Sequence, residues 1–593
     1  MKWKTIILIL GAVLLSLFAI YSNKTLLSEK ASPKIDLIPV QNLFTNLQTD
    51  KSHYSPGDTV TFSLSNQTKS ETIKIAYYHL DRKIEEQTLS VTDSTEQSWS
   101  WNPPNDDYKG YLAEITMIKD NHMQTETIAV DVSSDWSKFP RYGFLSEFGE
   151  STGENVSHVI SSLNRYHING LQFYDWHEEH QQPLKIEGNS PASHWQDVAN
   201  RDISLETVKQ YIDFAHQKNM KTMAYNLLYG SFENKDIALE WHLFKDSQHQ
   251  IIDQHPLPDQ WKSNVNIMNP TNPWWQDYII NQQKNVYRYL QFDGWHIDQL
   301  GDRGEVFNEW GSPVQIVDGF QPFLSKIKHE IPGKEIVMNA VNQYGQSAIA
   351  EASPSFLYTE VWDEYKTYSD LKRILDENAS LSKRDKSSVL AAYMNYNHSN
   401  QPGSFNEAGI LSANAVIFAN GGAHLELGEH MLSKEYFPLH QLNMEASLQE
   451  KMIDYYDFLT AYENILRENV TNSNIELTSN EGIPLSFGDA AQGQIWILPK
   501  QKEKQKIIHF INFLDAKTME WRDTNASQPA PFERTNLDFT IKEEKKINRM
   551  WLASPDTKSS MPIEVPFVQK GKDISFTLPS LTYWDMLVIE YEE

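Results

Sequence analysis

Between residues 136 and about 430 the chain alternates short apolar runs with helix-length stretches, the pattern of βα units that build a parallel sheet. Runs at 142–148, 171–177, 220–226, 292–297, 335–340, 356–361, 389–393 and 415–418, the last followed by Gly421-Gly422, predict eight strands. Between them Leu205, Val208, Ile212 and Ala215 share one face of a helix from Ser204, and a second helix spans 273–290. Eight such strands predict a (β/α)8 TIM barrel over residues 136–469, closed by the helical run 448–466. On either side the period drops to two. Thr59-Val60-Thr61-Phe62-Ser63-Leu64 alternates after the turn Ser55-Pro56-Gly57-Asp58, and Ile73, Ile75 and Tyr77 alternate again. Residues 34–135 therefore predict an immunoglobulin-like β-sandwich. Residues 470–593, with runs at 494–498, 506–513, 550–553, 574–578 and 586–591, predict a C-terminal antiparallel β-sandwich. The expected fold class is multidomain, α/β plus all-β.

Composition narrows the partners. Seventeen Trp and 27 Tyr suit stacking on sugar rings, although indoles also fill the cores of large β-rich proteins. A net charge of −27 argues against nucleic acid and anionic membrane surfaces and is compatible with a neutral polymer. The absence of Cys removes disulfides, thiolate metal sites and cysteine nucleophiles. Met1-Lys2-Trp3-Lys4 precedes an uncharged, largely apolar run at 5–21, and a polar linker extends to residue 33. That segment reads as a signal peptide or an uncleaved signal-anchor, which would tether the chain to a membrane. Either exports the chain, to the cell surface or the medium. A monomer without cofactor is expected.

The chemistry gathers at strand ends. Gly294-Trp295-His296-Ile297-Asp298-Gln299-Leu300-Gly301-Asp302 is a strand that stops on a carboxylate, and Phe356-Leu357-Tyr358-Thr359-Glu360-Val361-Trp362 repeats the pattern. Residues at the C-terminal ends of barrel strands face the pocket mouth. Two carboxylates there, beside aromatics, meet the needs of glycosidic cleavage: one ionised, the other protonated to help the leaving oxygen depart. An Asp after a strand also serves as a helix N-cap or turn former, so spacing alone leaves Asp298 and Glu360 candidates. Tyr174, Asp175, Trp176 and His177 at the second strand end, Tyr225 and Asn226 at the third, and Asn339 at the fifth are expected to line a sugar site. Trp362, Tyr393, Asn395, Glu426 and Asp302 complete that set, with Asp302 equally readable as loop structure and Glu429 as solvated loop charge. The rival is zinc on His177, His180 and Glu178 or Glu179. His-x-x-His lacks the His-Glu-x-x-His spacing, and no metal is expected. No Gly-x-Ser-x-Gly elbow supports a serine hydrolase.

Arg141-Tyr142-Gly143-Phe144-Leu145, Gln172-Phe173-Tyr174-Asp175-Trp176, His296-Ile297-Asp298-Gln299-Leu300-Gly301 and Tyr358-Thr359-Glu360-Val361-Trp362 resemble the family-66 glycoside hydrolases, which comprise endo-dextranases and cycloisomaltooligosaccharide glucanotransferases. The resemblance covers the exported chain, including the order sandwich, barrel, sandwich. It implies a retaining double displacement on α-1,6-glucan, taking dextran to isomaltooligosaccharides, with Asp298 as nucleophile and Glu360 as general acid/base. Retention implies carboxyls about 5–5.5 Å apart, and Glu360 needs its pKa raised. The cyclising members, by the same resemblance, carry an inserted carbohydrate-binding module. This chain has no insert of that size, which favours hydrolysis. A glucanotransferase and a non-catalytic surface glucan-binding protein are the alternatives.

Overall fold

The computed structural model describes residues 38–40, 43–66, 72–90, 95–233 and 235–592. The expected leader at 5–21 and the linker behind it lie outside these residues. Among the described residues no helix is long and apolar enough to cross a membrane.

Eight short parallel strands organise the middle of the chain: β1 (Tyr142–Leu145), β2 (Gly170–Phe173), β3 (Lys221–Leu227), β4 (Gly294–Asp298), β5 (Glu335–Met338), β6 (Leu357–Glu360), β7 (Ser388–Ala391) and β8 (Gly422–His424). They pair as two sheets, β5-β4-β3-β2-β1 and β6-β7-β8. A parallel bridge from Asn339 to Tyr358 joins the sheets on one side. On the other, the Phe144 N–H donates to the Leu427 carbonyl at 3.0 Å. Every residue of β1, β2 and β7 is buried, which is why these strands read as unbroken apolar runs rather than as alternation. The helices between them start where the side chains allow. Ser204 accepts from the Thr207 N–H to cap Leu205–Gln217, and Asn272 caps Pro273–Tyr289 with proline in its first turn.

One expected strand is wrong. Residues 415–418 lie inside the helix Glu407–Ala419, and β8 comes after it. Every residue from Ala408 to Ala419 is buried. The helix shares its apolar cluster with β7 on one side and with Trp496, Ile507 and Ile511 of the C-terminal sheet on the other. A helix covered all round shows no amphipathic period, and its apolar run mimics a buried strand.

Before these units, two sheets of five and three strands enclose a core that includes Phe62, Tyr77, Trp99 and Ile115. After them, sheets of seven and four strands enclose Ile497, Phe510, Phe539 and Leu587. The N-terminal sheets are locked to the middle of the chain by a buried guanidinium. Arg141, just before β1, donates to Asp131 at 2.6 Å, to Glu463 at 3.2 Å and to the His167 carbonyl at 2.6 Å, and all three charged side chains are shielded from solvent. Burial alone would raise the Asp131 carboxyl, but the Arg141 charge holds it below the usual carboxylate range. Glu463 moves the other way, raised by burial and by the Asp131 charge.

Removing the cation leaves those carboxyls buried without it. Arg141→Met is therefore expected to lower unfolding free energy by about 3–5 kcal/mol, measured by chemical denaturation. An unchanged midpoint would show that the cluster does not hold the units together.

Candidate active site

The C-terminal ends of β2 to β7 open into a cavity of about 680 Å³. Asp298 ends β4 and Glu360 ends β6, and both line it. Asn339, one residue past β5, stands between them. Its side-chain nitrogen donates to Asp298 Oδ1 at 2.8 Å and to Glu360 Oε2 at 3.0 Å, while its Oδ1 accepts from the Glu360 N–H at 3.2 Å. Two oxygens bonded to one nitrogen lie at most about 6 Å apart, which matches the spacing of retaining rather than inverting glycosidases.

The two carboxyls are held differently. Asp298 also accepts from the Tyr225 hydroxyl at 2.8 Å and from the Gln299 N–H at 2.8 Å. Burial raises its pKa, and these donors and Asn339 work against that rise. Glu360 accepts from the Tyr393 hydroxyl at 2.6 Å. Burial, then the neighbouring Asp298 charge, pushes its carboxyl up to about 7. Glu360 therefore keeps its proton up to about neutrality, as a general acid working on an ether oxygen requires.

Other expected contacts reach the cavity. Tyr174 lines it, stacked on Phe437 at 4.2 Å, and Trp362 lines it beside Tyr393. Asp175 adopts a left-handed backbone (φ 50°) and lines the cavity, and among the described residues its carboxyl has no hydrogen-bond partner. Burial, then the Asp197 and Asp298 charges set against Arg201, push it well above the usual carboxylate range.

Seven expectations need correction. Trp176 is fully buried among Trp195 and Phe292 and donates to the Tyr225 carbonyl, because the turn at Asp175 sends the next side chain into the apolar layer. His177 sits behind His180, 3.0 Å from its Nδ1. Asn226, equally buried, holds the same histidine at 2.9 Å instead of facing the cavity. His180 is the residue of that group that lines the cavity. Asp302 is exposed and accepts from the Gly304 N–H, so it forms a turn. Asn395, at φ 53°, faces the C-terminal unit and donates to the Asp523 carbonyl at 2.9 Å. Glu426 is buried behind β8, accepting from Asn414 and Tyr456 and paired with His424 at 3.2 Å. Glu429 is not free loop charge either: it accepts from the Ser146 and Glu147 N–H groups, and burial raises it to about 7.

The expected sugar-site set left out Gln172, Trp261, His296, Gln299, Tyr358, Tyr436 and Phe437, and His180 was weighed there only as a metal ligand; all of them line the cavity. His296 and Tyr358 were legible. Each lies two residues before its carboxylate on the same strand, and period two puts both on the same face. Tyr436 and Phe437 come from the loop after β8 and Trp261 from the long insert after β3, where no period applies.

Two partly buried carboxyls sharing one amide at the ends of parallel strands are an arrangement that glycoside cleavage can use. The chain belongs to glycosyl hydrolase family 66, whose profile matches residues 49–588. A cycloisomaltooligosaccharide glucanotransferase of Niallia circulans is 28% identical over 701 residues, covering 91% of this chain and 71% of its own. A dextranase of Streptococcus salivarius is 25% identical over 564 residues, covering 81% and 67%. The crystal structure of a cycloisomaltooligosaccharide glucanotransferase from Paenibacillus sp., complexed with cycloisomaltoheptaose, superposes with a TM-score of 0.86 at 26% identity, covering 93% of this chain and 99% of that one. The multidomain arrangement of strands and helices matches that fold.

The Tyr393 hydroxyl stabilises the ionised form of Glu360. Tyr393→Phe should therefore shift the Glu360 titration to higher pH, monitored by NMR of carboxyl-labelled glutamate. A shift to lower pH, or none, would show that the hydroxyl does not hold the carboxylate.

Proposed function

We propose that this chain is an exported retaining endo-glycosidase that cleaves the α-1,6-glucosidic bonds of dextran to linear isomaltooligosaccharides. The observation that carries the reading is the Asn339 amide shared by Asp298 and Glu360, which sets two differently held carboxyls at the spacing of a double displacement. Glu360 gives its proton to the departing glycosidic oxygen while the Asp298 carboxylate attacks the anomeric carbon. The glycosyl ester that forms removes the Asp298 charge. With it goes one of the two influences that raise Glu360, so the same group then takes a proton from the incoming water. Tyr225 and Asn339 keep Asp298 aimed. Asp175, without a hydrogen-bond partner among the described residues, bonds sugar hydroxyls, and Tyr174 and Trp362 offer ring faces.

In this reading the two parallel sheets form one (β/α)8 barrel over 136–469, between an immunoglobulin-like sandwich at 34–135 and a C-terminal sandwich at 470–593. Residues 1–33 export the chain, with 5–21 as a tether if uncleaved, and it acts as a monomer. Cyclisation is the second reading, favoured by relatives named for it. The Niallia circulans alignment runs over 701 residues, more than this whole 593-residue chain, so that relative carries inserted residues without counterpart here. That difference supports hydrolysis.

Incubation with dextran, with products separated by size, should yield linear isomaltooligosaccharides from the parent. Glu360→Ala should lose about 10²–10⁴-fold in rate, and Asp298→Ala should fall to background. Cyclic products would move the assignment to glucanotransferase, and absence of products with dextran still bound would leave a binding protein. The active acid is the protonated Glu360, so kcat/KM should decline as pH rises through about 7. A profile flat to about pH 9 would remove Glu360 from that role.

A further inference from the structure

Away from the catalytic cavity, a second hollow of about 590 Å³ lies between the insert after β3, the start of the helix Pro273–Tyr289 and the loop after β4. Two of its walls are Trp274 and Trp310, which are 66% and 78% exposed. The chain buries most of its indoles, and Trp275, next to Trp274, is fully covered and donates to the Leu228 carbonyl at 3.1 Å. Leaving two indoles in water forfeits the favourable burial of such large apolar faces.

Their exposure is built into the backbone. Trp310 sits at the tip of a tight turn in which the Asn308 side chain accepts from the Trp310 and Ser312 N–H groups, both at 3.0 Å. Gly311 comes next at φ 73°, and a Cβ there would meet the Ser247 carbonyl oxygen at 2.5 Å, so the turn admits little else. Bridges from Phe307 to Phe244 and to Pro313 pin the base of the turn. Trp274 is fixed by Asn272, whose Oδ1 accepts from its N–H at 2.9 Å. Polar groups complete the hollow: Asn269, Glu240 and Glu309. Indole faces beside carboxylate acceptors suit a neutral ligand with ring C–H faces and many hydroxyl donors. They do not suit an anion, nor a second copy of a chain carrying −27.

We infer that this hollow is a second, non-catalytic binding site for neutral α-glucan chains, with Trp274 and Trp310 as its stacking platforms. The ligand class rests on the glucan reading of the catalytic cavity, while the site itself stands on its own geometry.

The test uses the full chain with an Asp298→Ala change, so that bound polymer persists, in native gels containing dextran, starch or pullulan. Trp274→Ala/Trp310→Ala should weaken retardation by a preferred glucan roughly three- to ten-fold. In the otherwise unaltered chain the double change should leave kcat/KM on a short isomaltooligosaccharide, and the melting temperature, as in the parent. If dextran is not cleaved but another α-glucan is retarded in an indole-dependent way, the inferred site stands and the dextranase reading falls. Retardation by no glucan, or retardation indifferent to both indoles while dextran is cleaved, overturns the site. A dimer in sedimentation that the double change abolishes also overturns it, in favour of a contact between copies.

Discussion

The buried Arg141 guanidinium is the constraint on which the arrangement of the chain rests. It precedes β1, so its position fixes where the first parallel strand begins, and its partners come from the last N-terminal strand and from the end of the helical run after β8. Taking such a cation out of water is costly unless carboxylates and carbonyls surround it. Asp131, Glu463 and the His167 and Phe139 carbonyls do so here. Three distant stretches of sequence must converge before that cost is met. The cluster therefore specifies how the units dock as much as it stabilises them.

At the other end of the strands the arrangement of charge is reversed. Among the described residues Asp298 and Glu360 are gathered without an ion-paired cation, and amide and hydroxyl donors stand in for one. Asp298 receives Tyr225, Asn339 and the Gln299 N–H, and Glu360 receives Asn339, Tyr393 and Trp362 but also faces the Asp298 charge. The neighbouring charge orders the two groups: burial and then the Asp298 charge raise Glu360, whereas burial alone raises Asp298 against its donors. A neutral substrate fits such a site because it brings no charge to repel.

The fold was legible wherever one period ruled. Seven of the eight parallel strands fall on the expected runs, since a strand buried on both faces is a short apolar block bounded by turns. The eighth failed because Glu407–Ala419 is apolar on every face, and nothing in Ala413, Val416 or Phe418 says whether the run is helix or strand. That information lies nearly a hundred residues away, in Trp496, Ile507 and Ile511.

The site was legible at strand ends and lost beyond them. Tyr225, Asp298, Asn339 and Glu360 all reach the cavity, because an inward residue at the end of a strand has only one place to point, and Asp175 reaches it from the turn after β2. Further into the loops the argument breaks down. Trp176 and Asp302 have the right chemistry for a sugar, yet the backbone turns at Asp175 and Gly301, both with positive φ, redirect the side chains that come after them. Asn395 and Glu426 fail for a different reason, since each satisfies a partner outside the cavity, Asp523 for one and Asn414 with Tyr456 for the other. Residue type alone cannot separate a sugar ligand from a buried brace, because both must offer hydrogen bonds. What separates them is whether the protein has already used those bonds, and by that measure Asp175, which lines the cavity, differs from Asn395 and Glu426.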